Sequence, residues 1–281
     1  MSTVPTPVPE PTSPASSRPG PHPAVLTVLI VIAVLLALIA ALLVVRDTST
    51  STTTAVATSP VVAGSPATES PQAPTPAAPP AAQPTAAASV TDEQVLALMH
   101  AEVRRDPEDA QAKGDVDAPV VLVLYSDFSC PYCTMFAQDV EPGLSDLVED
   151  GTLRMEWRDL AQISASSPLA AQAGIAAANQ GRFWELHDAV YAAADPKGHP
   201  EYTEESLLAF AEQAGVEDLE RFRADMTSQE TVDRVAEATQ HAHQLGITGT
   251  PFLIVNDAVI GGYAPVEYVR QTVLDQAALV G

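Results

Sequence analysis

The apolar residues of this sequence form one long run near the start and then short, periodic clusters over the last two thirds. Residues 24–45 are apolar throughout except for Thr27. A helix needs about 20 such residues to cross about 30 Å of hydrocarbon. The alternative, a cleaved signal peptide, has a shorter apolar core of about 7 to 15 residues. We therefore predict a retained, single-pass transmembrane helix at 24–45 that contacts the lipid bilayer.

The segments on either side of this run are rich in proline, alanine, serine and threonine. Chains of this composition cannot bury a core. We expect residues 1–23 to be a disordered tail and residues 46–90 to be an extended linker, which leaves one folded domain at 91–281. Arg18 precedes the apolar run and Arg46 follows it, so the flanking charges do not fix its orientation.

The pattern in the folded part alternates between helical and strand periodicity. Short β-branched runs predict strands, and apolar residues spaced three to four apart predict helices. The chain order is strand, helix, strand, helical block, hairpin, helix, which indicates an α/β fold. The predicted elements are a helix capped by Thr91 with Val95, Leu98 and Met99 on one face, a buried strand at 120–125, a helix after residue 133 that is kinked at Pro142, a strand at 153–158 with one face buried, helices at 169–178, 183–193, 204–214, 217–226 and 230–245, hairpin strands at 252–255 and 258–260, and a last helix at 266–279.

The net charge and the number of cysteines limit the classes of function that the chain can have. The formal net charge is −23, and nucleic-acid binding needs clustered Lys and Arg, so we expect no nucleic-acid partner. The chain has only two cysteines, Cys130 and Cys133. A disulfide between them closes a loop too short to restrain much of the unfolded chain, so its value is expected to be chemical.

The chemistry predicted for this pair is thiol–disulfide exchange. Cys130 falls at the start of a predicted helix, where unpaired backbone N–H groups favour a thiolate. Pro131 suits the first helical position, which needs no N–H donor. Cys133 lies one turn later and can release a mixed disulfide formed on Cys130. Tyr132 adds no positive charge, so we predict a moderately oxidising couple, less oxidising than one with His at this position.

A zinc site is the main alternative for the two cysteines. The other ligands would come from His187, His199, His241 or His243, but the sequence has no second pair at zinc-binding spacing. We therefore expect no metal and no cofactor.

The residues of the folded part resemble the DsbA-like branch of the thioredoxin superfamily. Three stretches carry the resemblance, residues 125–133, 181–187 and 246–252. It implies a thioredoxin-like fold whose four-stranded core has a helical insertion at about 166–226. It also implies that the Thr250–Pro251 bond is cis, lies against the Cys130 sulfur and holds the client chain there.

One position departs from the family pattern. Many relatives carry a buried acid six residues before the first cysteine, where this chain has Leu124. Asp127 is the nearest carboxylate in sequence. It has two possible roles, to help move the proton of Cys133 or to stabilise the turn.

The expected function is that of an extracytoplasmic protein-disulfide oxidoreductase, in an undecided redox direction, anchored in the cell membrane. Its expected partners are extracytoplasmic proteins with thiols or disulfides and a membrane protein that recycles the cysteine pair. The alternative is a noncatalytic, tethered thioredoxin-like module that binds peptides in the groove near Thr250.

Overall fold

The computed structural model describes residues 84–280. The predicted tail, transmembrane helix and most of the linker lie outside the described residues. Within 84–280 no helix is both long enough and apolar enough to span a membrane. The elements, in chain order, are α1 Glu93–Ala101, β1 Ala112–Lys113, β2 Val120–Ser126, α2 Pro131–Met135, α3 Ser145–Glu149, β3 Leu153–Asp159, α4 Ser167–Ala178, α5 Phe183–Ala193, α6 Glu204–Gln213, α7 Leu219–Met226, α8 Gln229–Gln244, β4 Phe252–Val255, β5 Ala258–Gly261 and α9 Val266–Val280.

The five strands form one mixed sheet in the order β1-β3-β2-β4-β5. β2 is central, parallel to β3 and antiparallel to β4. β4 and β5 are the predicted hairpin, and Asn256 in its turn has a positive φ of 45°. The two-residue β1 adds an edge strand to the four-stranded core that the resemblance implies.

The sheet is covered on both faces. A large apolar cluster packs β2 and β3 against the helices of the predicted insertion, and a smaller one lies under α1 and α8. Every residue of β2 is buried. Helices α4 to α7 span residues 167–226, where the resemblance implies the insertion.

The prediction for β3 was wrong about its second face. All seven residues are buried, because charged side chains on that face pair with one another. Glu156 is fully buried, and its carboxylate accepts from Arg154 Nε at 3.0 Å and Arg158 Nη2 at 2.7 Å. The backbone N–H groups of Arg104 and Arg105 also donate to it. Burial acts to raise the pKa of Glu156, but these donors outweigh it and lower the pKa to about 2.

Two helix predictions also need correction. Asp92, not Thr91, caps α1, since its carboxylate accepts from the N–H groups of Gln94 and Val95. The helix after the cysteines departs from α-geometry before Pro142, in a π-helical turn at Phe136–Val140 and a 3₁₀ turn at Glu141–Leu144. Because proline cannot donate to the carbonyl one turn back and clashes with it, the preceding turn loosens.

Candidate active site

The cysteine pair lies at the carboxyl end of the central strand. β2 ends at Ser126, and the chain turns through residues 127–130 into α2, which begins at Pro131. Cys130 is the N-cap of this helix, with an extended backbone. Both cysteines are free thiols and both are buried. The structure thus places the pair between a strand and a helix, as the sequence predicts.

Thr250 and Pro251 lie directly beside Cys130. The Thr250–Pro251 peptide bond is cis, as the resemblance implies. The Cys130 thiol donates to the carbonyl oxygen of Thr250, with 3.4 Å between sulfur and oxygen. The buried hydroxyl of Thr250 has no hydrogen-bond partner within residues 84–280. It is near enough to Cys130 to lower the pKa of that thiol, because a thiolate can accept its proton.

The pKa values of the two thiols are shifted in opposite directions. A hydrogen bond from the Cys133 thiol has the largest effect on Cys130 and lowers its pKa, while burial raises it. Thr250 and the backbone N–H groups of Cys133 and Tyr132 lower it further, to about 6 from an ordinary value of 9.0. The predicted effect of the helix start is therefore present, but it is smaller than the effect of the neighbouring thiol.

Cys133 is the sulfur that resists ionisation. Burial raises its pKa well above 9.0, and the adjacent Cys130 sulfur raises it further. Hydrogen bonds from the Ser126 hydroxyl and the Asp127 backbone N–H act in the opposite direction. Cys130 is thus the sulfur that ionises first.

Asp127 ties the loop before Cys130 to the loop after β3. One carboxylate oxygen accepts from Ser129 N and Ser167 Oγ, each at 2.8 Å. The other accepts from Gln162 N at 2.7 Å and Ile163 N at 2.8 Å. With two donors on each oxygen, this buried carboxylate has the bonding pattern of a structural brace, which matches the turn role left open by the sequence.

Leu124 and Tyr132 occupy contrasting environments. Leu124 is buried in the same apolar cluster as the two cysteines, so no carboxylate reaches them from that position. Tyr132 is 58% exposed and lies on the surface at the start of α2.

Three hydroxyl groups near the cysteine loop were not predicted from the sequence. Tyr191 and Tyr202 donate to the carbonyl oxygens of Asp127 and Phe128, at 3.1 and 2.9 Å. The Ser126 hydroxyl lies 3.1 Å from that of Tyr191. The only sequence signal for Ser126 was a polar residue at the end of an apolar strand, and nothing in the spacing pointed to the tyrosines.

Three of the four histidines named as alternative zinc ligands have other partners. His187 is buried with Glu141, His241 contacts Glu102, and His243 contacts Gln162. In the part of the chain that the structure describes, no three His, Cys, Asp or Glu side chains are grouped so that they could hold a metal ion.

Several known proteins resemble this chain in sequence and in fold. A family model described as Thioredoxin matches residues 107–275. The chain is 31% identical over 150 residues to a probable disulfide bond formation protein D of Bacillus anthracis, a match that covers 52% of this chain and 69% of that protein. The crystal structure of oxidised BdbD from Bacillus subtilis is similar with a TM-score of 0.56 at 22% identity, over 60% of this chain and 92% of that one.

A different class of protein contains a similar segment. The chain is 36% identical over 154 residues to Na(+)/H(+) antiporter NhaA 3 of Salinispora tropica, which covers 54% of this chain. The match spans only 22% of the length of that antiporter. The likeness therefore concerns one segment of that protein.

Proposed function

Because the chain belongs to the thioredoxin family, in its DsbA-like branch of protein-disulfide oxidoreductases, we propose that it exchanges disulfides with protein clients through Cys130 and Cys133. Cys130 is the nucleophile, and Cys133 is the resolving thiol. The observation that carries this assignment is the difference between the two sulfurs: the pKa of Cys130 is lowered to about 6, whereas that of Cys133 is raised. Since thiolates attack disulfides, this difference selects the attacking atom at neutral pH.

The atoms and electrons of the exchange balance in both the reducing and the oxidising direction. In reduction of a client, the Cys130 thiolate attacks a client disulfide, one client sulfur leaves as a thiolate, and a mixed disulfide forms. Cys133 then attacks Cys130, the second client sulfur leaves, and the Cys130–Cys133 disulfide forms. In oxidation of a client dithiol the same steps run in reverse, and the cysteine pair gains the two electrons.

Thr250 is the proposed contact for the client backbone. Its carbonyl lies 3.4 Å from the Cys130 sulfur. An extended client segment that pairs with the backbone at residues 249–251 would therefore bring its own sulfur next to Cys130. Tyr132, exposed at the start of α2, is a further proposed side-chain contact for the client.

The proposed setting is outside the cytoplasm, on the cell membrane. Residues 24–45 have the length and composition of a membrane span, and residues 46–90 have those of a tether. Compartments outside the cytoplasm are oxidising, which suits a disulfide-exchange protein. A membrane redox protein is the proposed partner that recycles the pair, and the extracytoplasmic clients are proteins with thiols or disulfides.

The experiment that tests this function traps the intermediate. The full chain with Cys133→Ala should accumulate mixed disulfides with clients, visible on a non-reducing gel and lost on reduction. Cys130→Ser should abolish dithiol oxidation and form no adducts. The double substitution is the control for background thiol chemistry.

The same experiment distinguishes disulfide exchange from the alternative function, peptide binding without catalysis. A noncatalytic binding module needs no reactive pair, so it would keep client binding in the Cys130→Ser variant and form no adducts in Cys133→Ala. Unchanged turnover in Cys130→Ser would overturn the proposed chemistry. The reduction potential of the full chain against glutathione then gives the favoured direction of exchange.

A further inference from the structure

A buried four-residue turn, here called the cysteine turn, connects β2 to Cys130. It spans residues 127–130 and is closed by the N–H of Cys130, which donates to the carbonyl oxygen of Asp127 at 3.0 Å. Asp127, Phe128 and Ser129 are all 2% exposed or less. Backbone carbonyl groups buried in this way need hydrogen-bond donors from the protein itself.

Two tyrosine hydroxyl groups from the helical insertion are such donors. Tyr191 lies in α5 and donates to the Asp127 carbonyl at 3.1 Å, so this oxygen accepts from both Tyr191 and Cys130. Tyr202 lies just before α6 and donates to the next carbonyl, that of Phe128, at 2.9 Å. Burial is the main cause that raises the pKa of both phenols, so both hydroxyl groups keep their protons and remain donors.

The two tyrosines are themselves fixed by neighbouring elements. The backbone N–H of Tyr202 donates to the hydroxyl oxygen of Ser166, the residue that precedes α4, at 2.9 Å. The ring of Tyr191 packs on the ring of Phe128, with centroids 5.3 Å apart. Phe128 in turn stacks on Trp157 of β3 at 5.0 Å. The insertion and β3 therefore enclose the cysteine turn on its buried side.

We propose that Tyr191 and Tyr202 are positioning residues for disulfide exchange, because their hydroxyl groups fix the turn that places the Cys130 sulfur against Thr250. Both act through backbone carbonyl groups and not on a sulfur. The inference rests on the proposed function, since it concerns the attack by Cys130. It also gives the helical insertion a part in the reaction.

The position of the turn matters because the contacts of Cys130 are short. Its sulfur lies 3.4 Å from the Thr250 carbonyl oxygen. The Cys133 thiol, and then Thr250 and the backbone N–H groups of Cys133 and Tyr132, lower the pKa of the Cys130 thiol against the effect of burial. Hydrogen bonds weaken steeply as their distances and angles depart from the ideal. A small movement of the turn therefore weakens several of these contacts at once.

The two tyrosines are expected to contribute unequally. Within residues 84–280, Tyr202 is the one hydrogen-bond donor to the Phe128 carbonyl. The Asp127 carbonyl has two donors, and it keeps the N–H of Cys130 when the Tyr191 hydroxyl is removed. Loss of the Tyr202 hydroxyl should therefore disturb the turn more than loss of the Tyr191 hydroxyl.

Tyr202→Phe in the reduced full chain tests the proposal, since phenylalanine keeps the ring and removes only the hydroxyl. Iodoacetamide alkylation across pH gives the ionisation midpoint of Cys130, which should rise. The rate of attack on dithio-bis-nitrobenzoate is followed by the first nitrothiobenzoate released. At pH 5, below the Cys130 pKa of about 6, this rate is proportional to the thiolate fraction. It should fall about fivefold in Tyr202→Phe, the effect of one hydrogen bond, and about twofold in Tyr191→Phe.

Tyr125→Phe is the matched control. The Tyr125 side chain is buried in the smaller apolar cluster, on the other face of β2, and its hydroxyl donates to Glu102. This variant also loses the hydrogen bond of a buried tyrosine, but the bond does not involve the cysteine turn. Urea unfolding should show lower stability in all three variants. The alkylation midpoint and the attack rate should change only in Tyr191→Phe and Tyr202→Phe.

The outcomes distinguish this inference from the proposed function. Lower stability with an unchanged midpoint and attack rate in both Tyr191→Phe and Tyr202→Phe would overturn the inference alone, and so would an equal change in Tyr125→Phe. If one of the two variants fails to fold, the other decides by the same readouts. A midpoint near 9.0 in the unsubstituted protein, with no mixed disulfides in Cys133→Ala, would overturn the proposed function itself.

Discussion

The Cys130 sulfur lies 3.4 Å from the carbonyl oxygen of Thr250, a residue 120 positions later in the chain. The contact places Cys130, the proposed nucleophile, against the loop where an extended client is proposed to bind. The Thr250 hydroxyl, buried beside the same sulfur, also lowers the pKa of the Cys130 thiol. The acidity of the Cys130 thiol and the proposed position of the client therefore depend on one residue, Thr250.

Replacing Thr250 by valine should raise the pKa of Cys130. The change removes the hydroxyl and keeps the shape of the side chain, so the thiolate loses one donor. Loss of one hydrogen bond to a charged group corresponds to about one pKa unit. The pH dependence of iodoacetamide alkylation measures it, and Thr248→Val, at an exposed neighbouring position, is the control. An unshifted profile in Thr250→Val would exclude this donor.

Replacing Cys133 should raise the pKa of Cys130, and by different amounts in the alanine and serine variants. The Cys133 thiol makes the largest contribution to lowering the pKa of Cys130 to about 6. In Cys133→Ala the donor is lost, and the alkylation midpoint should move toward 9.0, the ordinary value. In Cys133→Ser a hydroxyl remains, and we expect the midpoint to stay nearer to that of the unsubstituted protein. Equal midpoints in the two variants would contradict the assigned hydrogen bond.

Tyr132→His should make the cysteine pair more oxidising. Tyr132 is exposed at the helix start, and its backbone N–H already lowers the pKa of Cys130. A protonated imidazole there would stabilise the thiolate, and hence the reduced form, by its charge. Each pKa unit corresponds to about 30 mV for a two-electron couple. Redox titration against glutathione measures the shift, with Tyr132→Phe as the uncharged control, and a fall in the potential of the His variant would contradict this reasoning.

Asp127→Asn should destabilise the protein without changing the acid–base behaviour of Cys133. The amide would turn its NH₂ group toward donors that the carboxylate now accepts. A loss of about 2 to 4 kcal/mol is expected for a buried network broken in this way. Urea unfolding of the reduced protein measures the loss. A shifted pH profile for resolution by Cys133 would instead assign Asp127 a part in proton transfer.

Glu141 and His187 form a buried ion pair that should make stability depend on pH. Their charged atoms lie 3.3 Å apart, and Lys113 Nζ contacts Glu141 at 2.8 Å. Burial raises the pKa of Glu141, but the charges of His187 and Lys113 outweigh it and lower the pKa to about 2 from 4.5. Burial lowers the pKa of His187, but the Glu141 charge and a hydrogen bond to Asp188 outweigh it, so its pKa lies above 6.5.

The two shifts define the pH window of this stabilisation. The Glu141 contribution is present above pH 4.5 and is lost as the pH falls through about 2. The His187 contribution is present below pH 6.5 and is lost as the pH rises through its raised pKa. The pair should therefore add most to the free energy of unfolding between pH 4.5 and pH 6.5.

Glu141→Gln tests the window directly. At pH 5.5 to 6 it should cost about 3 kcal/mol, because it leaves His187 and Lys113 without their buried counter-ion. The control is Glu185→Gln, which breaks the exposed pair with Arg182 and should cost less than about 1 kcal/mol. Urea unfolding across the pH range measures both. A cost for Glu141→Gln that is as small as that of the control would contradict a stabilising buried pair.

Much of the fold and the identity of the two cysteines followed from local patterns. The runs that predicted β2, β4 and β5 and the spacing that predicted the helices are properties of neighbouring residues, so the sequence displays them directly. The helix start at Pro131 and the end of α8 just before Gly246, whose φ is 80°, have local signals of the same kind.

The rest depended on residues that are distant in sequence. The second buried face of β3 required Arg104 and Arg105 to donate to Glu156. The role of Asp127 required donors from residues 162–167, and the hydrogen bond to its carbonyl oxygen required Tyr191. No spacing rule relates such positions, because their hydrogen bonds form only when separate elements pack together. The sequence by itself therefore determined which two cysteines are the candidates for disulfide exchange, and the tertiary structure decided how the pKa of each thiol is shifted, because the groups that shift it come from distant parts of the chain.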